Sequence, residues 1–96
     1  FTFWGYLPID KEQRSKRIKD LEVSATLYKQ TQLFIETPFR NNQLLEDILK
    51  SCKSNTQLCI ACNITATDEF IKTQSVAQWR KEEVDLHKKP TIFLLS

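Results

Sequence analysis

Short apolar runs along this chain alternate with longer stretches in which apolar residues recur every third or fourth position. The first kind predicts strands and the second predicts amphipathic helices. Residues 1–6 read as a strand, closed by Leu7 and Pro8. Asp10 is placed to cap a following helix, with Gln13 able to reach back to it. Ile18, Leu21, Ala25 and Tyr28 give that helix one apolar face, and Lys11, Arg14, Lys16, Arg17 and Lys19 fall on the other. Residues 32–35 form a second strand. Thr37 is the expected N-cap of a second helix, with Pro38 at its first position, where a missing N–H costs nothing. Leu44, Leu45, Ile48 and Cys52 mark the inner face, and residues 51–55 a polar break.

Residues 58–62 read as a third strand, followed by a polar turn over 63–68. Phe70, Ile71 and Thr73 suggest a fourth strand. Ser75 and Gln78 have capping-box spacing before a short helix that carries Trp79. The charged stretch 80–89 reads as a solvated helix end and loop. Pro90 and Thr91 then lead into a last strand over 92–95, expected to be fully buried. The expected fold class is α/β, a mixed sheet of about five strands flanked by helices. The strand-helix-strand units favour parallel pairing, and the turn after Cys62 favours an antiparallel pair.

Composition narrows the class. A chain of 96 residues, 41% hydrophobic and 27% charged, is one small soluble domain, with a cytoplasmic location expected. No apolar run is long enough to cross a bilayer, so no membrane partner is expected. A formal net charge of +2 does not by itself argue for nucleic acid. The single glycine, Gly5, cannot build a phosphate-binding loop, which needs several. The chain opens on an apolar segment without an initiator methionine, as a piece of a longer protein would.

The candidate chemistry is weighed against simpler readings. Cys59 and Cys62 have the spacing of a metal knuckle, with Cys52 and His87 as further ligands. A separation of three within a strand puts the two thiols on opposite faces, so core thiols are favoured and no metal is expected. His87 has no nucleophile placed near it by local spacing and reads as a surface-loop histidine. The basic helix face is either a solvated surface or a phosphate contact. Glu36 is either a general base at a strand end or a partner of backbone groups at the next helix. Arg40 is expected to pair with Glu36 or Glu46. Position favours a site here, because ligands of open α/β sheets lie outside the carboxyl ends of strands. Asn63 and Thr65 follow the third strand in the same way.

Three blocks then carry a resemblance: "GYLPIDKEQRSKRIKDLE", "LFIETPFR", and "CIACNITATDEFIKTQSVAQW" followed by "KKPTIFLLS". In order and spacing the chain resembles the C-terminal half of the tetrapyrrole methylase-like, S-adenosylmethionine-dependent methyltransferases. It is most similar to the branch with the small-subunit rRNA cytidine 2′-O-methyltransferases. The resemblance implies that residues 1–96 are the C-terminal domain of a two-domain enzyme, inactive alone, with the cofactor between domains. It implies a cofactor wall at Glu36 and Thr37, at Asn63, Ile64 and Thr65, and at Pro90 and Thr91. Arg14, Arg17 and Arg40 become candidate substrate contacts, and a homodimer is implied. The chain departs from the rRNA branch at Phe39, where histidine is usual, and at Cys62, Asn63 and Ala66, where Arg, Glu and Lys are frequent. The substrate classes left open are rRNA and a tetrapyrrole or corrin. A non-enzymatic α/β interaction module is the competing reading.

Overall fold

The computed structural model describes residues 1–96. The elements run β1 (Thr2–Tyr6), α1 (Lys11–Tyr28), β2 (Gln32–Ile35), α2 (Asn41–Ser51), β3 (Gln57–Cys62), β4 (Phe70–Ser75), α3 (Val76–Trp79) and β5 (Thr91–Leu95). One mixed sheet results, in the order β1-β2-β5-β3-β4. β1 and β2 are parallel; β5 is antiparallel to both β2 and β3, and β4 to β3. The α/β expectation holds, including the parallel first pair and the antiparallel pair after Cys62.

The strand alternation sorts side chains onto two unlike faces. Phe34, Leu58, Ile60, Phe93 and Leu95 are fully buried, with Ile18, Leu21, Leu44, Ile48 and Trp79 packed into the same core. Phe34 and Phe93 stack at the centre, ring centroids 5.9 Å apart. The opposite face carries two cross-strand rows, Phe3–Leu33–Leu94–Cys59–Thr73 and Tyr6–Ile35–Ile92–Ala61–Ile71. Most of these side chains are half-buried or exposed. The last strand is therefore buried on one face only, because Ile92 and Leu94 point to the side away from the core. Gly5, at φ +67°, sits in the β1 irregularity that returns Tyr6 to register with Ile35.

Local capping follows the sequence in two helices. The Asp10 carboxylate accepts from the Gln13 N–H at 3.0 Å. Ser75 and Gln78 complete the reciprocal capping box of α3. Two expectations for α1 fail. Tyr28 is exposed, because the chain leaves the helix at Lys29 in a left-handed conformation. Arg14 is buried rather than on the outer basic face, since 14, 18, 21, 22 and 25 share one helical stripe and both Arg14 and Glu22 lie in it. Glu22 is satisfied there by the Lys53 N–H at 2.7 Å and the Thr56 hydroxyl.

The start of α2 also differs. Thr37 is not its N-cap: the Arg40 N–H bonds the Thr37 carbonyl at 2.9 Å, and the helix begins at Asn41 with no side-chain cap. Pro38 stands at the second position of that turn, where its fixed φ is equally at home. The far end of α2 is closed by a residue from the charged 80–89 stretch. The Arg80 guanidinium donates to the Leu49 carbonyl at 2.7 and 3.0 Å and to the Cys52 carbonyl at 2.9 Å. Cations are favoured at helix carboxyl ends, where carbonyls lack helical partners. No helix is long and apolar enough to cross a membrane.

Candidate active site

Because β2 and β3 run the same way and β5 runs against them, the carboxyl ends of β2 and β3 meet the amino end of β5 at one sheet edge. Ile35 pairs with Ile92, Ala61 with Ile92, and Cys62 with Thr91. There the chain forms an open concavity of about 330 Å³, lined by Ile35, Glu36, Pro38, Ala61, Ile64, Pro90, Thr91 and Ile92. Four of the expected cofactor-wall residues converge in it from three separate segments: Glu36, Ile64, Pro90 and Thr91. Thr37, Asn63 and Thr65 flank it without lining it.

Asn63 and Thr65 have φ of +52° and +70°, so Ile64 is presented between two left-handed residues. The loop is held by the Asn63 N–H to the Pro90 carbonyl at 2.9 Å, by the Asn63 amide to Asp68 at 3.0 Å, and by the Thr65 N–H to Glu69 at 2.8 Å. Thr91 is tied from behind. Its hydroxyl donates to the Lys89 carbonyl at 2.8 Å and accepts from the Asn41 amide at 3.2 Å.

Glu36 is held most tightly of all. Oε1 accepts from the Thr37 N–H at 2.8 Å and from Arg40 Nε at 3.4 Å, and Oε2 accepts from Arg14 Nη1 at 3.0 Å. Arg14 Nε also lies 3.0 Å from Asp47 Oδ2, but its N–H is not aimed at that oxygen, so this contact is an ion pair without an aligned hydrogen bond. The Arg14, Glu36 and Asp47 side chains are 5%, 2% and 2% exposed, whereas Arg40 is 43% exposed. With three donors on its two oxygens and a side chain 2% exposed, Glu36 is built as an anchor of the strand end rather than as a free general base. Arg14 fastens α1 and α2 to that anchor and is withdrawn from the surface as a substrate contact. Arg17 lies elsewhere, its guanidinium 5.8 Å from the centre of the Trp4 ring beside edge strand β1. Arg40 alone among the three arginines stands both beside the cleft and partly in solvent.

The cysteines stand apart from the site. Cys59 and Cys62 face opposite sides of the sheet, and Cys52 lies under the end of α2. Burial, then the Glu22 charge, pushes the Cys52 thiol up to about 12. Burial also raises Cys62.

The apolar floor of the cleft was not legible from local sequence, since Ile35, Ala61 and Ile92 become neighbours only through the β2-β5-β3 pairing. Asn41, fully buried and donating to three acceptors around the cleft, gave no local signal either.

The comparisons agree with this architecture. No family model matches the chain. Over 98 aligned residues it is 30% identical to the ribosomal RNA small subunit methyltransferase I of Buchnera aphidicola subsp. Schizaphis graminum, covering 99% of this chain. It spans about a third of that relative's length, 33%. Among solved structures it superposes on the methyltransferase CobJ with a TM-score of 0.58 at 15% identity, covering 100% of this chain and 40% of that one. Against the cobalt precorrin-4 methyltransferase CbiF, a cobalamin biosynthetic enzyme, the TM-score is 0.56 at 14% identity, with 99% and 40% covered. In sequence the chain is similar to about a third of an rRNA methyltransferase, and in fold it is similar to domains of two tetrapyrrole-type methyltransferases.

Proposed function

We propose that this chain supplies one wall of the cofactor cleft in an S-adenosylmethionine-dependent methyltransferase that modifies a ribose 2′-oxygen of small-subunit rRNA. The observation that carries the reading is the convergence of Glu36, Ile64, Pro90 and Thr91, from three distant segments, on one concavity at the strand ends. Its residues fit such a cofactor. Ile35, Ala61, Ile64 and Ile92 offer an apolar surface for a purine, and the volume is at the lower end for a ligand pocket, as one wall of a shared cleft would give. Bound against Ile35, Ala61, Ile64 and Ile92, the cofactor would supply an electrophilic methyl group for transfer to the acceptor oxygen.

The chain's own part is positioning. Pro38 and Pro90 stiffen two rims of the cleft. Arg14 and Arg40 together balance Glu36 and Asp47, so that the strand end keeps its shape without presenting net charge. No side chain lining the cleft is a free base, and no residue is assigned as the proton acceptor. The rRNA reading draws on the sequence similarity to an rRNA methyltransferase, since the two structural neighbours speak to the fold alone.

The test is to give the full-length protein methyl-labelled cofactor with small ribosomal subunits or with tetrapyrrole precursors. Label on an rRNA ribose is expected. Label only on the tetrapyrrole would replace the substrate, and label on neither would leave the interaction-module reading.

A further inference from the structure

Beside the cleft, Phe39 is left 69% exposed, although it sits on one of the better-fastened turns of the molecule. Its ring meets the exposed His87 ring edge-on, with centroids 5.8 Å apart and planes at 67°. The two residues are far apart in sequence and are brought together by specific clamps. The Lys88 N–H donates to the Pro38 carbonyl at 3.1 Å. The buried Asn41 amide donates to the Leu86 and Lys89 carbonyls at 3.3 and 2.6 Å. Asn42 accepts from the Leu86 N–H at 2.7 Å and donates to Asp85 at 2.9 Å, while Asp85 also accepts from the His87 N–H at 3.0 Å. Those same bonds, Asn42 first and then His87, hold the Asp85 carboxyl below its usual range and commit the nearby negative charge. Arg40, Lys88 and Lys89 supply cations within two residues of the ring pair.

We infer that Phe39 and His87 form a preorganised platform on which one unpaired base of an RNA substrate stacks, at the rim of the cofactor cleft, with Arg40, Lys88 and Lys89 meeting its phosphates. This rests on the rRNA reading above and deepens it. An exposed aromatic face with flanking cations is the chemistry that recognises single-stranded nucleic acid, because every base has a π-face and every linkage a negative charge. Clamping removes the ordering cost that a mobile loop would incur on binding.

The experiment measures binding of a single-stranded oligoribonucleotide by fluorescence anisotropy, and binding of S-adenosylmethionine by calorimetry, in the full-length protein. Phe39→Ala should weaken RNA binding roughly five- to a hundred-fold, the worth of one stacked base. Phe39→Trp should retain it. Both variants should keep the wild-type cofactor affinity and melting temperature, since the ring is outside the core. Wild-type methylation of RNA with equal RNA affinity in Phe39→Ala would overturn the platform alone. Wild-type protein that binds and methylates a tetrapyrrole but no RNA would overturn both the platform and the reading beneath it.

Discussion

Arg14→Met removes one buried cation and keeps most of its stem, so it isolates the charge. In the native fold, Arg14 and Arg40 balance Glu36 and Asp47. Three of these four side chains are 5% exposed or less. Without Arg14, Asp47 loses its ion-pair partner, and Glu36 keeps the Thr37 N–H and the contact to the half-exposed Arg40. Leaving a buried charge uncompensated in this way costs about 3–5 kcal/mol. Arg40→Ala removes a pair that is 3.4 Å apart and open to solvent on one side, and its cost should stay below about 1 kcal/mol. The double variant Arg14→Met/Asp47→Asn restores local neutrality and should recover a large part of the loss, giving a non-additive cycle. Urea unfolding followed by the fluorescence of Trp79, which is 1% exposed in the same core, reads all three. A loss under about 1 kcal/mol for Arg14→Met, or a larger loss for Arg40→Ala, would refute the claim that Arg14 is the cation on which the strand end depends.

The Cys52 thiol, raised from 9.0 to about 12, keeps its proton in the fold after the unfolded chain has released it. Its stabilising contribution is full below the unfolded value and is lost as pH rises toward the folded one, at about 1.4 kcal/mol per pH unit. Wild type should therefore lose stability above pH 9 faster than Cys52→Ala does, and equal slopes in alkaline urea titrations would contradict this. Gly5→Ala places a side chain at φ +67° with no steric clash around it, so only backbone strain of about 1–2 kcal/mol is expected, read in the same unfolding assay. A neutral Gly5→Ala would mean that the β1 bulge can relax.

The sheet and its helices were legible because their periods are distinct and their caps are local: Asp10 with Gln13, and Ser75 with Gln78, need only neighbours. Misreadings arose where one residue type serves two geometries. Pro38 suits the second position of a turn as well as the first position of a helix, and only the Thr37–Arg40 hydrogen bond decides. Arg14 belongs to a basic run that looks like a solvated face. Its burial depends on Glu36 and Asp47, which are distant in sequence and unseen until β2 and α2 are packed against α1. The resemblance implies where a cofactor wall would fall, and the structure adds what joins those positions: β5 inserted between β2 and β3, which makes an apolar floor of Ile35, Ala61 and Ile92. Phe39, which departs from the rRNA branch in the sequence, acquires a partner in His87 only in three dimensions.

Ala61 stands on that floor, on the face turned away from the core, where a larger side chain projects into the cleft rather than into packed interior. The most direct measurement is therefore calorimetric titration of S-adenosylmethionine into the full-length protein and its Ala61→Phe variant, with thermal melts in parallel. Binding by the wild type and at least a tenfold loss in Ala61→Phe, with the melting temperature kept within a few degrees, is the predicted result, since filling the floor displaces a flat ligand at a cost of about 1.4 kcal/mol or more. Equal affinity in a folded Ala61→Phe variant, or a wild type that takes no cofactor, would contradict it.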